Sequence, residues 1–192
     1  MADAAKKHAT YEDLLRVPGH LVAEIVGGEL VTSPRPEPRH SRASSVLGGA
    51  LMGPFDGGID GPGGWWILDE PELHLLGRTE IVVPDLAGWR RERMPDLPET
   101  AFFELVPDWV CEVLSPSTGA FDRADKMPVY ARAGVVFAWL VDPMLQTIEA
   151  YRLERERWTL LETVKGDRLV ALPPFEAKPL DLAPLWRTRA AK

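Results

Sequence analysis

Three residues could share one chemistry. Asp85 closes the apolar run Ile81-Val82-Val83-Pro84, Glu112 lies inside Trp109-Val110-Cys111-Glu112-Val113-Leu114, and Lys126 opens Lys126-Met127-Pro128-Val129-Tyr130. A carboxylate beside a buried apolar strand is costly to desolvate unless a cation compensates it, and two that converge repel unless a metal or a proton lies between them. Magnesium is the natural compensator, because it takes hard oxygen ligands from one or two carboxylates and completes its shell with water and substrate phosphate. Lys126 is then the third party. Its ammonium would orient or help deprotonate an attacking water and steady the charge on a pentacovalent phosphorus, with the metal as Lewis acid. This is the chemistry of phosphodiester hydrolysis.

The elements that must position these groups follow from local pattern. Thr10 with Asp13 reads as a helix N-cap, and Pro18-Gly19 stops that helix after one or two turns. Residues 21–26 and 29–32 are β-favouring runs joined by Gly27-Gly28, a two-residue hairpin connection that puts Glu24 and Glu29 on neighbouring strands. Apolar residues at Ala43, Val46, Leu47, Ala50 and Leu51 recur with helical spacing, predicting a helix over residues 40–52. The glycine-dense stretch 53–64 has no phosphate-loop lysine after it, so it reads as a connection. Residues 65–68, 72–75 and 80–83 read as strands, the last ending at Pro84-Asp85, and residues 90–107 as irregular chain. Residues 108–114 form a strand whose alternation sets Asp108, Val110 and Glu112 on one face and Trp109, Cys111 and Val113 on the other. If the strand ending at Asp85 lies beside it, both carboxylates reach one cation. A helix over residues 122–133, ended by Gly134, returns Lys126 towards them, and residues 135–141 follow as a central strand. That strand, helix, strand unit implies a parallel pair. Residues 147–153 and 158–164 alternate as an antiparallel pair, and residues 173–186 read as extended chain with a last turn of helix.

At 192 residues the chain is long enough for one real core, and residues 1–192 read as a single domain with a flexible N-terminus over residues 1–9. Its 45% hydrophobic and 27% charged residues are those of an ordinary globular protein without a membrane-spanning run or a signal-peptide pattern, so a cytoplasmic protein is expected. The one cysteine, Cys111, excludes an internal disulfide and a cysteine-rich zinc site. A net charge of -7 argues against indiscriminate nucleic-acid binding, though Arg35, Arg39, His40 and Arg42, and again Arg90, Arg91 and Arg93, form local basic groups.

These motifs in order resemble the Uma2 family (DUF820), restriction-endonuclease-like proteins of the PD-(D/E)xK nuclease superfamily. The resemblance runs from the hairpin Glu24-Ile25-Val26-Gly27-Gly28-Glu29-Leu30 through Ser33-Pro34 and His40 to VVPDLAGW, CEVLSPST, the segment 122–130 and WLVDP at residues 139–143. It implies an α/β (α+β) fold with a restriction-endonuclease-like core, a mixed β-sheet flanked by helices and an N-terminal hairpin. It further implies a Mg2+- or Mn2+-dependent endonuclease acting on DNA as a homodimer. Asp85 then matches the aspartate of the Pro-Asp motif, Glu112 the second acid and Lys126 the lysine, with Glu24 an additional acid near the same metal. The superfamily pattern places its lysine two residues after the second acid, where this chain has Leu114. Related families move that lysine to a neighbouring helix, and Lys126 is the candidate replacement.

Each residue also has a plainer reading. Pro-Asp is a common turn signal, Glu112 would sit in water on an edge strand, and Lys126 would pair with Asp122 four residues earlier on a solvated helix face. Glu24 would form a cross-strand pair, and His40, near the start of a helix where it could touch phosphate, would more commonly be exposed and unligated. Ser115-Pro116-Ser117-Thr118 is a turn leading to the helix, Cys111 a small buried hydrophobe, and the tryptophans core or interface, with an exposed tryptophan suiting a homodimer. Two rival functions stand beside the nuclease: a catalytically silent binding or assembly module on the same fold, and a glycosidase with carboxyl groups about 5 to 9.5 Å apart.

Overall fold

Thr10 starts the first helix as a capping box: its hydroxyl accepts from the Asp13 N–H at 3.3 Å while the Asp13 carboxylate accepts from the Thr10 N–H at 3.0 Å. In the computed structural model, which describes residues 8–188, this helix is α1 (Tyr11–Leu15). Most of the N-terminal segment expected to be flexible, residues 1–7, lies outside the described residues; Ala9 donates its N–H to the Gly28 carbonyl at 2.9 Å.

Gly27 and Gly28 both take positive φ, 60° and 78°, as a two-residue turn between twisted strands requires. They join β1 (Leu21–Val26) to β2 (Glu29–Pro34). With β4 (Leu73–Leu75) and β5 (Glu80–Val82) these make a four-stranded antiparallel sheet in the order β2-β1-β5-β4. Six further strands form a second sheet: β3 (Trp65–Asp69), β6 (Leu86–Arg90), β7 (Trp109–Val113), β8 (Phe137–Asp142), β9 (Thr147–Glu154) and β10 (Arg157–Lys165), in the order β10-β9-β8-β7-β6-β3. Only β7 and β8 pair in parallel, so the sheet is mixed and the expected strand, helix, strand unit is present. A short antiparallel pair, β11 (Leu169–Val170) and β12 (Leu180–Asp181), precedes α5 (Ala183–Trp186) near the C-terminus.

One expectation needs correction. The strand ending at Asp85 does not lie beside Glu112; β5 belongs to the four-stranded sheet, and a separate strand, β6, begins straight after Asp85 and pairs Leu86 with Cys111. Pro84 is the physical reason. It has no N–H to donate to a ladder, so hydrogen bonding of one sheet ends there and that of the other begins. Asp85 therefore sits at the passage between two sheets.

Helices cover both faces of the central strands. On one face α2 (Pro38–Leu51) buries Ala43, Leu47 and Leu51 against Trp109, Cys111, Val113, Trp139 and Val141, with Phe175 closing the cluster. Against the other face, α3 (Gly119–Phe121) continues through a π-turn at Asp122–Lys126 into α4 (Met127–Ala133), where Met127, Val129 and Tyr130 pack with Val110, Leu114, Ala138 and Leu140. The π-turn has a local cause in Pro128, which cannot donate to the Ala124 carbonyl and whose ring crowds it, so the ladder widens to the next spacing. Gly134 ends the helix in the left-handed region at φ 86°. Each fully buried aliphatic or aromatic side chain in these clusters contributes about 1.5–3 kcal/mol. Of the seven tryptophans, Trp65, Trp89, Trp109, Trp139 and Trp186 are buried, while Trp66 and Trp158 are half-buried. No helix among the described residues is long and apolar enough to cross a membrane.

Candidate active site

Glu112 stands on β7 with its side chain on the face covered by α4, and β7 is central, not an edge. The reading that leaves this carboxylate in water is excluded, since Glu112 is 2% exposed. Its Oε1 accepts from the Tyr130 hydroxyl at 2.5 Å and lies 2.8 Å from Lys126 Nζ. The same ammonium is 2.9 Å from Glu24 Oε1 and donates to the Val83 carbonyl at 3.0 Å. Glu24 Oε1 also accepts from the Val83 N–H at 2.8 Å. Lys126 thus ties β1 of one sheet to β7 of the other, with β5's continuation held between them. It does not pair with Asp122, as the helix spacing had suggested; two buried glutamates within reach outcompete a neighbour on its own helix.

Asp85 stands beside this cluster. Its Oδ2 accepts from the Val113 N–H at 2.7 Å, next in sequence to Glu112, and its Oδ1 is 3.1 Å from His40 Nε2. Glu24, His40, Asp85, Glu112, Asp122 and Lys126 line one cavity of about 110 Å3, together with Arg35, Ser117 and Thr118. All four residues singled out in the sequence, Glu24, Asp85, Glu112 and Lys126, therefore meet at one pocket. Three neighbours of these residues were not placed by sequence reasoning: His40, read as a phosphate contact or an exposed ring, is buried on Asp85; Tyr130 holds Glu112; Asp122, read as the partner of a solvated Lys126, is 4% exposed at the pocket wall. The signal was present in part, because Asp122, Lys126 and Tyr130 recur at four-residue steps along one helical stripe.

Electrostatics follow from burial and from an excess of carboxylates over the one ammonium. Burial pushes Glu112 well above the ordinary carboxylate range; Lys126 opposes the shift, while Asp122, Asp85 and Glu24 add to it. For Lys126 burial favours the neutral amine, but Glu112, Glu24 and Asp122 outweigh it and raise the pKa, so the ammonium stays charged. Asp122 is pushed up to about 6 by burial, against the pull of Lys126 and a hydrogen bond from Thr118. Burial would lower His40, yet its hydrogen bond to Asp85 and that carboxylate's charge raise it overall, helped by Asp122 and Glu70.

The donor set fits a hard divalent cation. Asp85 and Glu112 bring carboxylate oxygens to one pocket through adjacent attachments on β7, and one or two carboxylates with water and phosphate suffice for Mg2+. The three carboxylates do not close into a cage: among the described residues no group of three His, Cys, Asp or Glu side chains is arranged to enclose a metal by itself. The basic residues 90, 91 and 93 are engaged internally, Arg91 with Asp56 at 2.7 Å and over the Trp66 ring, Arg90 over Trp65, and Arg93 with Asp108 at 2.8 Å. Ser115 accepts from the Thr118 N–H at 3.1 Å, the turn expected before the helix.

Known proteins agree with this architecture. A family model described as "Putative restriction endonuclease" matches residues 9–183. Among solved structures, the crystal structure of a putative nuclease belonging to DUF820 from Anabaena variabilis superposes with a TM-score of 0.72 at 22% identity, covering 93% of this chain and 97% of that one. No curated protein matches. With the hairpin, the mixed sheet and the pocket between them in place, the matched span of residues 9–183 makes the chain a member of the Uma2 family.

Proposed function

We propose that this chain, acting as one domain, is an endonuclease that hydrolyses phosphodiester bonds in DNA with Mg2+ or Mn2+. Asp85 and Glu112 would hold the cation, with Glu24 adding a carboxylate directly or through water. When bound, the cation supplies Lewis acidity at a phosphoryl oxygen and a water of lowered pKa. Lys126 then serves as a donor. A charged ammonium has three N–H groups and no lone pair, so it takes no proton; with its three donors on Glu112, Glu24 and the Val83 carbonyl, it would turn one of them to the attacking water or a phosphate oxygen as the cation takes over a carboxylate. Tyr130 and the Val83 carbonyl keep Glu112 and Lys126 in place, and the apolar layer beneath α4 keeps bulk water from the buried side of the cluster. The single observation that carries this reading is Lys126 Nζ at 2.8 Å from Glu112 and 2.9 Å from Glu24 in the pocket that Asp85 lines. It supports the helical lysine as the replacement for the one absent at Leu114. Two copies of the chain would address the two strands of a duplex.

The test is incubation of the purified protein with single- and double-stranded DNA and RNA in Mg2+ and in Mn2+, beside an EDTA control and the Asp85→Ala and Lys126→Ala variants. Cleavage of DNA that is lost in EDTA and in both folded variants is the expected result. No cleavage of any substrate would overturn the nuclease reading in favour of a silent binding module, and preferential cleavage of RNA would overturn its substrate.

A further inference from the structure

His40 is a buried imidazole that the nuclease reading leaves unused. It sits in the first turn of α2, 9% exposed, among residues that otherwise pack into an apolar layer. A side chain placed there only to fill space would be apolar, as Ala43, Leu47 and Leu51 are on the same helix. Its ring makes one hydrogen bond, Nε2 to Asp85 Oδ1 at 3.1 Å, and Nδ1 is buried without a partner among the described residues. Asp85 is therefore the one group the ring serves among the described residues. One turn later on the same face, the buried Ser44 hydrogen-bonds Asp69, the last residue of β3, which pairs with Leu86 next to Asp85. Helix α2 thus delivers two polar contacts to the two carboxylates at this corner of the sheet.

With the Val113 N–H on Oδ2 and His40 on Oδ1, both oxygens of Asp85 are pinned and the plane of its carboxylate is set. Each oxygen has two lone-pair directions, so one donor on each still leaves room for a cation. We infer that His40 is a positioning residue that presents the Asp85 carboxylate to a divalent cation. The inference rests on Asp85 being a ligand, as proposed above. Partners of this kind, which orient a ligand without touching the metal, typically change metal affinity 10- to 100-fold when removed.

The experiment measures Mn2+ binding to the full chain by the loss of the free-ion electron paramagnetic resonance signal, with no nucleic acid present. Wild type is compared with Asp85→Ala, His40→Ala, His40→Met, which fills the space without a donor, and His40→Gln, which keeps one. Melting in EDTA establishes that each variant is folded. The expected result is a Kd about 10- to 100-fold weaker in His40→Ala and His40→Met, with most of the loss recovered in His40→Gln. A purely packing role predicts the reverse order, with His40→Met close to wild type and His40→Gln no better than His40→Ala. Wild-type affinity in both donor-less variants, while Asp85→Ala has lost binding, overturns the inference alone. Failure of wild type to bind Mn2+, or undiminished binding by Asp85→Ala, overturns the ligand reading and this inference with it.

Discussion

Replacing Lys126 with methionine should destabilise the metal-free protein severely, and a cation should restore much of the loss. Methionine keeps the length and the apolar stem of the side chain but leaves Glu24 and Glu112, 5% and 2% exposed, without their shared ammonium. Removing one partner of a buried ion pair costs about 3–5 kcal/mol, because the remaining charge stays desolvated. Against a total stability of about 5–15 kcal/mol this is a large fraction. Urea unfolding in EDTA, followed by far-ultraviolet circular dichroism, reads it directly: with a slope near 2 kcal/mol/M, the midpoint should fall by about 2 M. Two internal checks separate an electrostatic cause from lost packing. The deficit should shrink as pH falls towards 4. Glu112 already has its folded pKa raised by burial, and a carboxyl whose folded pKa exceeds its unfolded one stabilises below the unfolded value and loses that contribution as pH rises. Magnesium should stabilise the variant, by about 2.7 kcal/mol at a hundredfold excess over its Kd. A Lys126→Met midpoint in EDTA within about 0.5 M of wild type, a deficit indifferent to pH, or a variant no more stable in Mg2+ than in EDTA, would refute the argument.

Tyr130→Phe removes the hydroxyl that donates to Glu112 Oε1 and should cost about 1–3 kcal/mol in the same urea assay, since it takes a donor from a buried acceptor; a loss under about 0.5 kcal/mol would contradict that bond. Asp122→Asn should change how stability depends on pH. Asp122 titrates at about 6 in the folded chain against 3.8 for an ordinary aspartate, so wild type loses stability from this group as pH rises through that window. The variant should therefore gain on wild type by up to about 3 kcal/mol between pH 4 and pH 7. Urea midpoints measured across that range would show a flat difference if Asp122 were solvated.

The parts of this molecule legible from the chain were those whose signal is local. The Gly27-Gly28 hairpin, the periodic burial of Ala43, Leu47 and Leu51, the apolar strand that follows Gly134 and the capping box at Thr10 each follow from a few adjacent residues. Asp85 and Glu112 stood out for the same reason, as carboxylates interrupting apolar runs. β6 did not stand out, because Leu86-Ala87-Gly88-Trp89-Arg90 has no β-branched residue and carries a glycine that tertiary packing requires. A Cβ at Gly88 would meet Ile67, Trp109 and Trp65 at 3.2–3.3 Å, which is a fact about three strands and invisible in one. The pairing of Glu24 with Lys126 was equally hidden. It exists only because two sheets abut at Pro84, and a hairpin read alone offers its glutamate no partner but the next strand.

That junction also accounts for the lysine's place. Residues 112 and 114 point to the same face of β7, so a lysine at 114 would project into the layer beneath α4, where Leu114 is 4% exposed among Met127, Val129 and Tyr130. Charge is not accommodated there without a partner. The covering helix can supply the ammonium from above instead. Its π-turn at Asp122–Lys126, placed by Pro128, leaves Lys126 at the level of Glu112, while Tyr130 one turn on reaches the same oxygen. Strand position 114 is thereby released to the core. The cost is that the helix now serves both as the lid of an apolar layer and as the carrier of the site's charge, so packing changes in α4 act on the pocket directly. The same helix that buries Met127 and Val129 sets where Lys126 stands, and the site's geometry is inseparable from the core beneath it.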